Sequence, residues 1–209
     1  MSAAAAASLS SSISNPDPCC WYVPSAVDGP DKLFGELMTQ SKTDEFKKLV
    51  WTFDACRRQC NAINFKFPLE ANHSVFAKVL YIGAQQPQRF IPSALDCKLI
   101  GKIPKGFTRE VKFRGEKHPN KEHVLIDIGS DSVMIVQAHE EAAVLGRVIM
   151  EKDGIGTWYF EGAFLFNYSL EQTEIDYRME HCKGTFSHMH DFAKKPDDVV
   201  KACTALQLH

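Results

Sequence analysis

The chain has 209 residues, 44% hydrophobic and 24% charged, the proportions of an ordinary globular domain with one appendage. A formal net charge of -2 and a sequence pI near 6.4 give no electrostatic footprint for nucleic acid or an anionic membrane surface. No run approaches the ~18 apolar residues of a spanning helix, so no membrane insertion is expected.

The first eighteen residues, from "MSAAAAASLSSSIS" to Asn-Pro-Asp-Pro, are rich in alanine and serine. They lack the basic start and compact apolar stretch of a secretory signal, so residues 1–30 read as a disordered or irregular tail. Residues 31–60 read as a helical extension. Phe46, Leu49, Val50, Phe53, Cys56 and Cys60 recur at helical spacing behind Thr43, a suitable N-cap. A helix over 43 to 60 must bury that stripe against the main domain or a second copy of the chain, and a homodimer through this helix is one expectation. Cys56 and Cys60 stand one turn apart, but no second ligand pair accompanies them, and no metal is expected. Seven cysteines at irregular spacings argue against a complete disulfide framework and for a reducing compartment, so the expected location is cytoplasmic.

From residue 61 the pattern changes. "NAINFKFPLE" alternates Ile63, Phe65 and Phe67 with polar residues, which predicts a strand. "NHSVFAKVLYIGAQQPQRFI" predicts a helix and a second short turn, broken around Pro87. Strand signals then follow in succession: "DCKLIGKI", "FTREVKFRG", "EHVLIDIG", "SVMIVQAH", "VLGRVIMEK" and "GTWYFEGAFLFNYSLEQ", separated by turn formers. In the last of these, Trp158, Phe160, Phe164, Phe166 and Tyr168 share one parity, interrupted by Gly162. In "SVMIVQAH" and "VLGRVIMEK" both parities are partly apolar, which leaves the inward face open. From about Leu170 helical periodicity returns through Ile175, Met179, Cys182, Phe186, Met189 and Phe192, with a break at Pro196 and a short terminal helix. Strands in a run with helices on one side predict an α+β fold. The expected architecture is helix-grip, a curved antiparallel sheet wrapped around a long C-terminal helix, over residues 61–209.

"FAKVLYIGAQQPQRFIPSALDCKLI", "GFTREVKF" and "KEHVLIDIGSDSVMIVQ" resemble the AtaL-like group of the START and pollen-allergen (SRPBCC) superfamily. The matching positions are Pro87, Phe90, Ile91, Pro92, Cys97, Thr108, Arg109, Val111, Phe113 and Glu122. The resemblance covers roughly residues 61 to 170. It implies a deep apolar cavity between sheet and helix that takes lipids, sterols, polyketides or similar metabolites. It imports no cofactor and no catalytic motif.

Within such a fold, Trp158, Phe160, Phe164 and Phe166 are candidate ligand contacts, their bland alternative being a packed core. Gly162 removes a side chain where a ligand or the helix would approach closely. Arg109 shares parity with Phe107, Val111 and Phe113, an unusual place for a cation. It reads either as a grip on a ligand carboxylate or carbonyl, or as the partner of a structural carboxylate such as Glu122. Val124 and Ile126 extend the same face. Phe186 and His188 are candidates from the C-terminal helix, and Tyr168 and Tyr177 are candidate hydrogen-bond donors near the strand-to-helix junction. No G-x-G-x-x-G, Walker A, G-x-S-x-G or H-E-x-x-H pattern is present. The functional expectation is therefore a hydrophobic small molecule as partner, no cofactor, and one of two roles. The first is a biosynthetic enzyme that folds a polyketide- or terpenoid-like intermediate into a near-attack shape and promotes its cyclisation, a Diels–Alder closure included, with Arg109, Tyr168 or Tyr177 as polar donor. The second is a non-catalytic carrier or sequestering protein.

Overall fold

The computed structural model describes residues 19–25, 60–103, 106–128, 133–138, 142–150, 157–166 and 168–206. The helix expected over 43 to 60 lies outside them, apart from Cys60. In chain order the elements are β1 (Cys19–Val23), β2 (Asn61–Leu69), α1 (His73–Gln85), a 3-10 turn (Pro87–Arg89), β3 (Ala94–Ile103), β4 (Gly106–Phe113), β5 (Asn120–Ile128), β6 (Val133–Ala138), β7 (Ala142–Met150), β8 (Trp158–Phe166), α2 (Gln172–Ala193) and α3 (Pro196–Ala205).

Local chemistry sets several of these boundaries. Asn72 caps α1, its side-chain oxygen accepting from the Ser74 N–H at 2.8 Å. The helix stops where Pro87 begins the 3-10 turn. Pro196 opens α3, and Asp197 and Asp198 place negative charge in its first turn, at the positive end of its dipole. Gly115, at φ +87°, takes the left-handed position in the connection from β4 to β5.

All eight strands join one antiparallel sheet in the order β1-β2-β8-β7-β6-β5-β4-β3. From β2 the chain crosses through α1 to the far edge, then returns strand by strand until β8 settles beside β2. That pairing runs from Asn61↔Phe166 to Leu69↔Trp158. The helices lie on one face, α2 along β1 and β2, and α1 along β5 and β6. This is the expected α+β helix-grip architecture.

The main core lies between sheet and helices. Phe65, Phe67, Phe107, Val124, Val148 and Phe160 meet Phe76, Val79 and Leu80 of α1, Cys182, Phe186 and Met189 of α2, and Val199 and Ala202 of α3. A smaller cluster of Ile63, Phe166, Leu170 and Ile175 closes the junction from β8 to α2. The opposite sheet face is buried as well: Ala62, Ala143, Leu145, Ala163 and Leu165 are at most 2% exposed. Burial of Val148 on one side of β7 and Leu145 on the other explains why "VLGRVIMEK" carries no clear parity.

The reading of residues 1–30 as an irregular tail does not hold at 19–23. There "CCWYV" pairs with β2 from Cys19↔Lys66 to Val23↔Ala62. The run is short and sits between prolines, but it is aromatic and β-branched, and an edge position needs a hydrogen-bonded neighbour on one side only.

Candidate functional site

The inner face of β8 holds the aromatic stripe. Phe160 is buried and Phe164 half-buried, and both rings point toward α2, where Phe186 stands. Register brings β2 alongside, so Phe65 and Phe67 enter the same group. The Phe186 ring centroid lies 4.5 Å from Phe65, 5.1 Å from Phe67, 5.0 Å from Phe160 and 6.5 Å from Phe164. Phe76 of α1 adds its ring 5.2 Å from Phe160. These are tilted and edge-on contacts of the kind aromatic rings prefer. They gather in the middle of the seam, where the resemblance implies a cavity.

The room that Gly162 leaves is occupied by neighbouring strands and a ring. Its cross-strand partner is Phe65. A Cβ at 162 would collide with the Phe65 ring and with the Leu145 carbonyl oxygen of β7. The glycine therefore exists for close strand packing and for a neighbouring ring.

The remaining candidates divide by position. Trp158 marks one end of the seam, stacked on His73 at 4.4 Å. Phe166 belongs to the junction cluster, with the Arg178 guanidinium 4.6 Å over its ring. On the far half of the sheet, Phe107 meets Tyr81 edge-on at 6.2 Å, Val124 and Ile126 join the main core, and Val111 is fully buried. Phe113 is half-buried at the end of β4, opposite Ala94.

Arg109 is 1% exposed and fully engaged. Its Nε donates to Glu122 Oε2 at 2.7 Å, and one terminal nitrogen lies 2.6 Å from the same oxygen and 3.2 Å from Gln137 Oε1. The other terminal nitrogen donates to the carbonyls of Gly83 and Ala84 at the end of α1. These five contacts match the five N–H groups of a guanidinium. The side chain thus neutralises a buried carboxylate and satisfies helix-end carbonyls that would otherwise lack partners.

Tyr168 is also engaged. Its hydroxyl lies 3.3 Å from Glu174 Oε1 and accepts from Arg178 at 3.1 Å, while its carbonyl accepts from Asn61 Nδ2 at 2.7 Å. It ties the end of β8 to the start of α2. Tyr177 is 63% exposed and stacks on His181 at 5.9 Å. His188 is exposed on α2. His190, on the same helix, accepts from the Glu70 N–H at 3.2 Å, and burial lowers its pKa from the usual histidine value. Among the described residues no three His, Cys, Asp or Glu side chains gather as a metal site.

A buried polar residue that sequence reasoning missed is Thr185. It lies on the sheet-facing stripe of α2 with Cys182, Phe186 and Met189. It is 7% exposed, and its hydroxyl has no hydrogen-bond partner among the described residues. The available signal was its spacing within that stripe, where every other buried member is apolar. Phe65, Phe67 and Phe76 were also missed as seam residues, since only the β2–β8 pairing brings two of them there.

No protein-family model matches the chain, and no curated protein matches its sequence. Solved structures do match it. A hypothetical protein from Helicobacter pylori aligns at 6% identity over 66% of this chain and 90% of its own, with a TM-score of 0.50, and shares the fold. A STAR-related lipid transfer protein fragment from Xanthomonas axonopodis aligns at 11% identity over 65% of this chain and 86% of its own, TM-score 0.48. Human StAR-related lipid transfer protein 5 aligns at 10% identity over 65% and 76%, TM-score 0.46. Among the described residues no helix is long and apolar enough to cross a membrane.

Proposed function

We propose that this chain, as a member of the SRPBCC superfamily, holds an apolar small molecule in the seam between the inner sheet face and α2. The observation that supports this is the Thr185 hydroxyl, a buried polar group without a partner among the described residues, in an otherwise aromatic and aliphatic interface. Leaving such a group unsatisfied costs about 1–3 kcal/mol. A ligand carbonyl or hydroxyl at that point removes the cost. The rings of Phe65, Phe160, Phe164 and Phe186 would exchange contacts with one another for contacts with the ligand, apolar for apolar. The ligand chemistry that fits is a largely hydrocarbon skeleton with one neutral oxygen function, as in polyketide- or terpenoid-like metabolites.

Of the two roles, carriage or sequestration is the better supported, because Arg109 and Tyr168 spend their polar atoms within the protein. Cofactor-independent cyclisation is the second reading, and the same hydroxyl favours it. Thr185 would polarise a conjugated carbonyl while the rings hold the chain in a reactive shape.

The test is fluorescence titration of the full chain with all-trans-retinol, a terpenoid alcohol, and with the hydrocarbon analogue that lacks its hydroxyl. The expected result is saturable one-to-one binding of both. Thr185→Val should weaken retinol roughly 5- to 10-fold, the size of one net hydrogen bond, and leave the hydrocarbon unchanged. The same substitution should stabilise the free protein by about 1 kcal/mol in urea denaturation. Absence of saturable binding overturns the seam as a site. An unchanged retinol affinity in the variant, or an equal loss for both probes, overturns the role of Thr185.

A further inference from the structure

Two thiols meet where the edge of the sheet touches the long helix. Cys20, on β1, pairs with Phe65 and takes the same face as the seam. Cys182, on α2, lies one turn before Phe186 and is fully buried. Their sulfurs are 3.6 Å apart and hydrogen-bonded, across 162 residues of sequence. Cys19, next along β1, takes the other face and bonds the Lys66 carbonyl at 3.6 Å. We propose that Cys20 and Cys182 form a thiol–disulfide site that low-molecular-weight disulfides oxidise, fastening β1 covalently onto α2.

Their surroundings assign each thiol a part. Cys20 is partly exposed, so a small reagent reaches it, and its hydrogen bond to Cys182 holds its pKa below the usual thiol value. Burial pushes the Cys182 thiol well up. Cys20 is therefore the attacking thiolate. It displaces one thiolate from the reagent R–S–S–R and becomes Cys20–S–S–R. Cys182 then gives up its proton, attacks the Cys20 sulfur and expels the second thiolate. Two protein thiols are oxidised and one small disulfide is reduced to two thiols, so atoms and electrons balance. The sulfurs must close from 3.6 Å to the ~2.05 Å of a disulfide. A strand hydrogen-bonded on one side only, as β1 is among the described residues, has the freedom to make that approach.

The cross-link would join the strand at one sheet edge to the helix that covers the seam. It would hold α2 down at its β1–β2 end. The site rests on the sulfur geometry and stands whether or not the seam takes a ligand.

The experiment is equilibration of the full-length protein in buffers of rising oxidised-to-reduced glutathione ratio, then acid quench, alkylation in denaturant and intact-mass measurement. The reduced chain has seven thiols to alkylate, and the expected product takes up two fewer alkyl groups. Trypsin should then yield residues 1–32 joined to the pentapeptide 179–183, "MEHCK". The link should survive Cys19→Ser and vanish in Cys20→Ser, a change at a strand edge that leaves the core in place. Closure of Cys19 on Cys20, persistence of the link in Cys20→Ser, or accumulation of glutathione on Cys20 without resolution by Cys182 would each overturn the proposal.

Discussion

Arg109 shows how much of a polar residue's role depends on partners that are distant in sequence. Its parity in "GFTREVKF" places it on the inward face, and Glu122 on the following strand is legible as a partner because β4 and β5 are neighbours. The other half of its environment is not legible. The Gly83 and Ala84 carbonyls belong to the end of α1, and only the crossing of that helix over the sheet brings them to the guanidinium. Arg109→Ala would strand the Glu122 carboxylate in the core and free two helix-end carbonyls. A loss of about 3–5 kcal/mol in urea denaturation is expected. Arg109→Lys should recover little of it, since an ammonium cannot span carboxylate, amide and carbonyl at once. Replacing both partners, as Arg109→Met with Glu122→Leu, should recover much of the loss. A cost below about 1 kcal/mol for Arg109→Ala would mean that the cation is not structural, and would return it to the candidates for ligand contact.

At the scale of elements, the strands and helices from residue 61 onward follow from periodicity, because each has one face in the core and most have an unlike second face. The failures have the same root. β7 is buried on both faces, so its sequence carries no alternation to read. The aromatic stripe of β8 reads correctly as inward, but the rings that complete the seam come from β2, whose pairing with β8 spans about a hundred residues and leaves no local signal. Gly162 illustrates the consequence. Within its own strand it reads as space for a ligand or helix; beside β2 and β7 it is space already taken. Gly162→Ala is expected to destabilise by about 1–3 kcal/mol, because the Leu145 oxygen it meets is backbone and cannot rotate away. Phe65→Leu, by contrast, frees the ring side only, so adding it to Gly162→Ala should not restore stability. If the double variant were more stable than Gly162→Ala alone, the ring and not the strand spacing would be what the glycine serves.

For the molecule as a whole, the sheet is covered on both faces, while α1, α2 and α3 account for one. Ala62, Ala143, Leu145, Ala163 and Leu165 form the other face, and they are as well buried as the core. The segment 26–59 connects Ser25, two residues after β1, to Cys60, one residue before β2. Read from its sequence, it carries the stripe of Phe46, Leu49, Val50 and Phe53 that a cover for this face requires. Its ends are convenient for a test, since Val23 pairs with Ala62 and a short connector would join β1 to β2 as a hairpin. Replacing residues 26–59 with a few glycines and serines is expected to lower stability by roughly 3–6 kcal/mol from the two leucines alone, and to promote association through the uncovered face. Denaturation and size-exclusion chromatography of the shortened chain read both effects. An unchanged midpoint with a smaller assembly would instead assign the stripe to a homodimer contact between copies of this chain. An unchanged midpoint with unchanged elution would count against both, because an amphipathic stripe of that length contributes to stability only where something covers it.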